Sequence, residues 1–241
     1  MNKDQKMLII IVALLVLTAG AFGVYAYKHK GEKVCTTEET DAIKFKREYE
    51  EYNDKNYDNG KEYFNVTLAS KNPFKYIKEE DAVKFLKEGT GVIYFGFPQC
   101  PWCRSLVPYL EKVAKDYGID TIYYLNIVDI RDTYKVEDKK AVVDKKGTDG
   151  YYAILDALKE YLTDFTITDE KGKKYSTGVK RLYAPTTVVV KKGKVVGFNE
   201  GTVDSQAKFV ALNEDEIKEL KNKLSTMFAN VSGFVCTDTG C

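Results

Sequence analysis

Several residue types on which common classes of protein depend are scarce in this sequence of 241 residues. A single histidine, His29, all but excludes histidine-based catalysis and histidine-rich metal sites. Five cysteines are too few for a small domain held together by disulfides. The 37 basic and 36 acidic side chains nearly cancel, which excludes a strongly basic nucleic-acid-binding protein. With 44% hydrophobic and 13% aromatic residues, the chain is neither disordered nor fibrous.

One long apolar segment lies near the N-terminus. Residues 7–27 (MLIIIVALLVLTAGAFGVYAY) are 21 consecutive positions without a charge, and a helix of about 20 residues crosses a bilayer. This length favours an uncleaved transmembrane anchor. The alternative is a signal peptide cleaved after small residues, near Ala19–Ala21 or Val24–Ala26. Lysines flank both ends of the segment, so the flanking charges do not define its orientation in the membrane. Either interpretation predicts that the remaining chain is exported to a compartment in which cysteines can be oxidised.

Strand and helix patterns alternate along the exported part. Residues 36–53 predict a charged helix, with Thr36 and Glu39 at the spacing of a capping box. The following elements are a short strand (74–77), a helix (79–88), a buried strand (91–97), a helix (101–117) and a second buried strand (121–128). A strand–helix–strand order predicts a parallel pair of strands.

The second half of the chain differs in composition. The predicted elements are a stretch rich in Lys and Asp (131–149), an amphipathic helix (151–162), a hairpin (165–175), a valine-rich hairpin (186–198) and a last helix that starts near Asn213. The helix 151–162 is interpreted as core packing, and a lid that sets partner choice is the alternative. Asp129, Arg131 and Asp132, after the second buried strand, are interpreted as a solvated ion pair rather than a ligand site.

The most specific motif is the pair of cysteines in residues 100–103 (CPWC), where a buried strand meets a helix. Unpaired N–H groups and the helix dipole stabilise a thiolate there, so we expect Cys100 to titrate below an ordinary thiol. Pro101 suits the first helical position, where a missing N–H costs nothing. Cys103 lies on the same side of the helix and continues the apolar face that includes Leu106. An exposed attacking thiolate beside a shielded resolving thiol is what thiol–disulfide exchange requires.

Around this motif the sequence resembles the thioredoxin superfamily. Residues 95–104 (FGFPQCPWCR) followed by Pro108 are similar to its active-site strand and helix, with Pro108 at the place of the proline that kinks that helix. Residues 183–187 (YAPTT) and the hairpin that ends at Gly201 resemble its cis-proline segment and closing hairpin. The resemblance extends to membrane-anchored thioredoxin-like proteins of Gram-positive bacteria, including those described as bacteriocin-transport accessory proteins.

The resemblance implies an α/β, thioredoxin-like fold, in which a mixed sheet is flanked by helices. Residues 131–182 would then form a helical and hairpin insertion before the cis-proline, and one transmembrane helix would precede the domain. The chain divides into a short N-terminal segment (1–6), the anchor or signal peptide (7–27), a helix and linker (28–72), the thioredoxin-like domain (73–229) and a cysteine-containing tail (230–241).

The same resemblance assigns roles to individual residues. It implies that Pro185 is cis and lies against Cys100, and that the backbone of Ala184 pairs with a substrate chain. Trp102 is interpreted as a further substrate contact or, alternatively, as an exposed aromatic ring that covers the helix end. The implied roles are catalytic for Cys100 and Cys103, substrate-binding for Trp102, Ala184 and Pro185, and supporting for Pro101, Arg104 and Pro108.

Under this interpretation the chain is a membrane-tethered, extracytoplasmic thiol–disulfide oxidoreductase of the cell membrane. Its redox group is the Cys100–Cys103 disulfide, with no cofactor and no metal. Its partners are exported proteins with thiols or disulfides and a membrane electron-transfer partner, and nucleic acid is not among them. The alternative is a non-catalytic chaperone or assembly module of the same fold that holds exported peptides. The retention of both motif cysteines argues against that alternative.

Two positions depart from the family pattern. The buried aspartate that the family has six residues before its first cysteine is replaced by Tyr94, so the sequence assigns no proton acceptor. The residues between the cysteines are Pro and Trp, and the chain has no histidine there to stabilise the thiolate, so the direction of the reaction stays open.

The remaining cysteines leave further alternatives. Cys236 and Cys241 would supply two more sulfurs for a tetrahedral zinc site, although the strand–helix context of the motif favours redox chemistry. The first expectation for these two is a small loop closed by their own disulfide. Cys35 is expected to be unpaired or bonded to the tail.

Overall fold

A mixed sheet of five strands, flanked by helices, forms the centre of residues 39–232, the part of the chain that the computed structural model describes. The helices are α1 (Asp41–Glu50), α2 (Glu79–Glu88), α3 (Pro101–Asp116), α4 (Asp149–Leu158) and α5 (Glu214–Phe228). The strands are β1 (Phe74–Tyr76), β2 (Gly91–Gly96), β3 (Ile122–Asn126), β4 (Thr133–Glu137), β5 (Lys140–Lys145), β6 (Thr163–Thr168), β7 (Lys174–Arg181), β8 (Thr186–Lys191) and β9 (Lys194–Glu200). The predicted α/β class is therefore confirmed.

The strands of this sheet run in the order β1-β3-β2-β8-β9. Strands β1 and β2 pair with β3 in parallel, which confirms the predicted parallel pair, whereas β8 pairs antiparallel with β2 and with β9. The central place of β2 explains why its residues form a continuous apolar run, because a strand covered on both faces has no side left for polar residues.

Each face of β2 belongs to a different hydrophobic core. Val92 and Tyr94 lie in the first core, which also takes side chains from α1, α3 and α5. Ile93 and Phe95 lie in the second core, with side chains from α2 and α4. This division follows from the strand geometry, in which successive side chains point to opposite faces. Packing on both faces fixes the end of β2, and thereby the turn from which α3 starts.

The first helix starts later and ends earlier than the sequence predicts. The prediction was a helix over residues 36–53 capped by Thr36, whereas α1 is capped by Thr40, whose side chain accepts a hydrogen bond from the Ile43 N–H at 3.4 Å. Asp41 in the first turn also interacts favourably with the helix dipole. A continuous helix over residues 36–53 is therefore wrong, because residues 39 and 40 are not helical and Thr40 caps α1, whereas Thr36 itself lies outside the described residues.

The segment before β1 contributes to the first core. Phe45 and Tyr49 on the inner face of α1 are completely buried, and Val66 and Leu68 follow them into the same cluster. The sequence assigned residues 28–72 to a helix and linker outside the domain. In the described part of that segment, these four side chains lie among those of β2 and α3.

The region between β3 and β8 holds two hairpins and a helix. The β6–β7 hairpin was predicted, but the β4–β5 hairpin was not, because its residues are mostly exposed and lack a continuous apolar face. Helix α4 sends Tyr151 and Ile154, both 0% exposed, into the second core. This contact confirms core packing by that helix, but the core is the one shared with β2 and β8 of the central sheet.

The other predicted elements agree with the structure to within a few residues. Helix α2, the β8–β9 hairpin and α5 all form. Helix α5 starts at the predicted place, after Asn213, and has a capping box in which Asn213 and Glu216 exchange hydrogen bonds. Within residues 39–232 no helix is long and apolar enough to cross a membrane. The predicted anchor at residues 7–27 lies outside the described residues, as do Cys35, Cys236 and Cys241.

Candidate active site

Cys100 stands at the N-terminus of α3, as the motif predicts. It occupies the N-cap position, and its sulfur accepts a hydrogen bond from the Cys103 N–H at 3.3 Å. Pro101 takes the first helical position, where an N–H would have no intrahelical partner. The sequence folds this way because β2 ends in its buried position and the chain turns through residues 97–99 directly into the helix.

Both cysteines are buried free thiols. Cys103 is 0% exposed and Cys100 only 4% exposed, so Cys103 is the more shielded sulfur, as predicted. The expectation of an exposed attacking sulfur is wrong. The reason is the loop before β8, which packs over the start of α3 and places the Ala184 carbonyl oxygen 3.3 Å from the Cys100 sulfur as acceptor of its S–H.

The pKa values of the two thiols are shifted in opposite directions. Burial raises the pKa of Cys100, but hydrogen bonds from the Cys103 thiol and from the N–H groups of Cys103 and Trp102 outweigh it, so the pKa lies below its ordinary value. Burial also raises the pKa of Cys103, and the neighbouring Cys100 raises it further, to well above the ordinary value. Cys100 is therefore the better thiolate, and Cys103 holds its proton.

The loop opposite the cysteines contains a cis peptide bond between Ala184 and Pro185, as the family resemblance implied. Its position is fixed by hydrogen bonds from the Gly201 N–H to the Pro185 oxygen at 2.7 Å and from the Thr186 hydroxyl to the Tyr183 oxygen at 2.8 Å. The loop thus joins the first strand of the closing hairpin and brings the Ala184 carbonyl to Cys100. The structure brings together residues separated by more than 80 positions in the chain.

Arg104 connects the start of α3 to the segment before the sheet. Its guanidinium, in a side chain only 1% exposed, donates to the backbone oxygens of Phe64 and Tyr49, each at 2.6 Å, and of Pro98 at 3.3 Å. A fourth hydrogen bond reaches the Asn53 side-chain oxygen at 2.7 Å. Burial lowers the pKa of this arginine. Arg104 therefore fixes the turn before Cys100 and does not point toward a substrate.

Trp102 and Pro108, the other predicted residues of α3, differ in their surroundings. Trp102 is half-buried against the first core, with the Lys208 ammonium 5.9 Å from its ring centroid. Pro108 lies inside the helix, so the Arg104 carbonyl lacks the hydrogen bond that an N–H at this position would donate. The ring of Trp102 thus packs on the first core beside Lys208, and Pro108 belongs to the supporting helix.

Arg131 is a site residue whose role the sequence interpretation missed. The expected solvated ion pair is wrong, because Asp132 is only 1% exposed and forms a buried ion pair with Arg181 from β7. Arg131 lies separately, with its guanidinium 5.0 Å from the centroid of the Phe97 ring. Its positive charge also lowers the pKa of Cys100. No pattern in the sequence distinguishes this arginine from the charged residues around it.

Within residues 39–232, no three side chains of His, Cys, Asp or Glu come together as they would around a metal ion. The tail cysteines of the alternative zinc site lie outside this range. No protein-family model matches the chain, and no curated protein matches it. The assignment of a function therefore depends on the sequence motif and on the geometry of the two thiols.

Proposed function

We propose that this chain is a thiol–disulfide oxidoreductase with a thioredoxin-like fold, in which Cys100 attacks and Cys103 resolves. The observation that carries the proposal is the placement of the two thiols: the Cys100 sulfur caps the N-terminus of α3 and accepts the Cys103 N–H at 3.3 Å, and Cys103 is the more deeply buried of the two, at 0% exposed. The lowered pKa of Cys100 and the raised pKa of Cys103 agree with this placement. An attacking sulfur reacts as the thiolate, and a resolving thiol that keeps its proton waits until the mixed disulfide has formed. The strand order β1-β3-β2-β8-β9 supports the thioredoxin-like assignment for residues 73–229.

In the reducing direction, the Cys100 thiolate forms a bond to one sulfur of a partner disulfide. The S–S bond of the partner breaks, and its other sulfur leaves as a thiolate and takes up a proton. Cys103 then loses its proton and attacks the Cys100 sulfur, which releases the second partner sulfur as a thiol. Cys100 and Cys103 end as a disulfide, and two electrons have passed to the partner. The reverse sequence oxidises a partner dithiol.

The partner is proposed to approach along the loop that carries Ala184 and Pro185. The Ala184 carbonyl already contacts the Cys100 sulfur at 3.3 Å, so a chain laid beside this backbone would have its sulfur next to the nucleophile. Trp102, which stands between the two cysteines in the chain and is half-buried, is proposed as an apolar contact. Because Cys100 is only 4% exposed, an extended segment that can enter between loop and helix fits better than a rigid surface.

Trapping of the mixed disulfide tests the proposal. With a disulfide-containing peptide, Cys103→Ser should accumulate a covalent adduct, because the resolving thiol is gone, whereas Cys100→Ser should not, because Cys103 is 0% exposed. Adducts appear on non-reducing gels and disappear with reductant. Both variants are also made with Cys236→Ser and Cys241→Ser, since a tail thiol can resolve the adduct.

If Cys103→Ser yields no adduct in either background, while an unrelated thioredoxin treated alike does, the proposed exchange is refuted. The chain would then be better described by the alternative function, a module of the same fold that holds exported peptides without chemistry.

The site is further proposed to lie outside the cytoplasm, held at the cell membrane by residues 7–27. Support comes from the sequence, in which these 21 positions carry no charge. The proposed partners are accordingly exported proteins with thiols or disulfides and a membrane protein that exchanges electrons with the Cys100–Cys103 pair.

A further inference from the structure

Arg131 lies at the edge of the sheet from which the cysteine motif starts. After β3 ends at Asn126, the Ile127 N–H donates to the Gly96 oxygen at 3.3 Å, and the Arg131 N–H donates to the Ile127 oxygen at 3.3 Å. Gly96 is the last residue of β2, and Cys100 follows it after three residues. Because β2 and β3 are parallel, their carboxyl ends lie at the same edge, and the turn that carries Arg131 is next to the turn that leads to Cys100.

The guanidinium of Arg131 contacts the turn before Cys100 directly. Its central carbon lies 5.0 Å from the centroid of the Phe97 ring, within the range of a cation–π interaction. The Phe97 oxygen in turn accepts a hydrogen bond from the Cys100 N–H at 3.2 Å. Phe97 borders both hydrophobic cores, as does Ala184, whose carbonyl contacts the Cys100 sulfur. The positive charge therefore rests on a ring that belongs to the motif's own turn.

This guanidinium has no anionic partner among residues 39–232, and none of their oxygen atoms accepts a hydrogen bond from it. The neighbouring Asp132 is only 1% exposed and pairs with Arg181. The chain has four arginines, and the other three are engaged: Arg47 binds a carboxylate, Arg104 binds four oxygens and Arg181 binds Asp132. Arg131 is therefore the exception, a half-buried cation whose donors are free.

An unpaired, half-buried cation costs free energy that a bound anion recovers. Burial and the nearby charge of Arg181 lower the pKa of Arg131, yet an arginine keeps its proton at neutral pH, so the cost remains. A guanidinium has five N–H donors in one plane and binds a carboxylate through two parallel hydrogen bonds. Its contact with the Phe97 ring uses none of these donors for an oxygen. The donors are thus available to a ligand that approaches Cys100.

Other charged side chains near the two site loops do not reverse this positive charge. Lys208 has its ammonium 5.9 Å from the Trp102 ring centroid. Glu200, at the end of β9, pairs in register with Thr186 beside the cis-proline loop. The charges of Lys208 and Glu200 are opposite, so their combined effect on a charged partner is small. Arg131 then leaves the site with a net positive charge.

We propose that Arg131 determines which partners the site accepts, by binding a carboxylate close to the partner's cysteine. The substrate class is then a protein or peptide whose disulfide is flanked by acidic side chains. The proposal rests on the proposed function, because it takes Cys100 as the sulfur that reacts with the partner. Arg131 binds and orients the partner and transfers neither a proton nor an electron, so the bonds made and broken are those of the exchange at Cys100 and Cys103.

The rate at which Cys100 attacks small disulfides of different charge tests the proposal. The full chain is used with Cys35→Ser, Cys236→Ser and Cys241→Ser, so that only the motif reacts. The probes are dithiodiglycolate, hydroxyethyl disulfide and cystamine, which are anionic, neutral and cationic. Each rate is divided by the rate of the same probe with mercaptoethanol, which removes the intrinsic reactivity of the probe. The ratio of the anionic to the neutral probe is then independent of the fraction of Cys100 present as thiolate.

Arg131→Gln should lower this anionic-to-neutral ratio by about three- to tenfold, the effect of losing one ion pair at a partly exposed site, and should raise the cationic-to-neutral ratio. Arg131→Lys keeps the charge and should retain part of the preference. Lys173→Gln is the matched control, because its ammonium lies 5.2 Å from the Tyr175 ring centroid at the tip of the β6–β7 hairpin. It should leave both ratios unchanged. An unchanged anionic ratio in Arg131→Gln, or an equal fall in Lys173→Gln, overturns the proposal.

The effect of salt gives a measurement that needs no substitution. A partly exposed ion pair weakens as the ionic strength rises, so the anionic-to-neutral ratio of the unsubstituted motif should fall at high salt. The ratio in Arg131→Gln should respond much less. If Arg131→Gln fails to fold, the salt dependence decides, and a ratio that does not change with salt in the unsubstituted motif overturns the proposal.

Two peptides extend the test to a polypeptide partner. They have the same length and one internal disulfide each, flanked by glutamates in one peptide and by lysines in the other. The glutamate peptide should be reduced faster, and Arg131→Gln should remove most of the difference. Faster reduction of the lysine peptide by the unsubstituted motif would show that the site does not select acidic partners.

Alkylation distinguishes failure of this proposal from failure of the proposed function, because it needs no exchange reaction. In a Cys103→Ser variant of the same background, only Cys100 remains to react with anionic iodoacetate or neutral iodoacetamide. Arg131→Gln should lower the ratio of these two rates by a similar factor of about three to ten. If no disulfide reacts with the unsubstituted motif, the oxidoreductase function is refuted. If disulfides react but neither the disulfide ratio nor the alkylation ratio changes in Arg131→Gln, the role of Arg131 is refuted.

Discussion

Replacement of Phe45 by alanine tests whether the segment before the sheet is an integral part of the fold. Phe45 is 0% exposed, and its ring centroid lies 3.9 Å from that of Phe74, 4.5 Å from that of Tyr49 and 4.7 Å from that of Tyr124. Loss of a buried phenylalanine side chain costs about 3–5 kcal/mol. Because this ring packs against three others, we expect Phe45→Ala to lower the free energy of unfolding by about 4 kcal/mol.

The assay is urea unfolding of the full chain, followed by circular dichroism. Ile43→Ala is the matched control, since Ile43 lies on the same helix but is 45% exposed. Its substitution should change the free energy of unfolding by less than about 0.5 kcal/mol. The slope of the free energy of unfolding against urea concentration should be the same for all variants if α1 unfolds together with the sheet. A loss below about 1.5 kcal/mol for Phe45→Ala would show that α1 is an appendage, and the argument from core burial would be refuted.

Two further predictions concern a buried charge and an exposed one. Arg104→Lys should lower the free energy of unfolding by about 2–3 kcal/mol, because an ammonium group cannot reach the four separate oxygens that the guanidinium binds. A change below about 0.5 kcal/mol in the same urea unfolding experiment would contradict this. Hydrogen bonds from the Asn213 N–H and from the Ser205 hydroxyl lower the pKa of Glu216 from its ordinary value of 4.5. The contribution of Glu216 to stability is therefore present above pH 4.5 and is lost as the pH falls through the pKa of the folded state. The stability advantage over Glu216→Gln measured at pH 7 should therefore shrink at pH 3, and a constant difference would refute the assignment.

The local elements could be predicted because their signals are contained in short stretches of the chain. The apolar run of β2, the capping box of α5 and the proline at the first position of α3 each depend on neighbours a few residues away. The predicted position of Cys100 at a helix N-terminus follows from such local patterns and is confirmed. The exposed β4–β5 hairpin escaped prediction because it lacks the apolar periodicity on which such patterns depend.

What surrounds the two thiols was decided by packing between distant parts of the chain. The sequence predicted an exposed Cys100, but the loop at Ala184 covers it, and only the pairing of β8 with β2 brings that loop there. In the same way Arg131 came to act on Cys100 rather than to form a solvated ion pair.

The sequence by itself therefore determined most of the helices and strands, the α/β class and which of the two cysteines is the more shielded, because helix ends and strand periodicity are local properties. The tertiary structure alone decided how deeply each sulfur is buried and which groups act on it. Tyr49 and Tyr94 lie 45 positions apart, yet their hydroxyl oxygens meet at 2.8 Å in the core that also holds Cys103. Exposure and electrostatic environment depend on every element packed around a site, and no local pattern in the chain specifies those contacts.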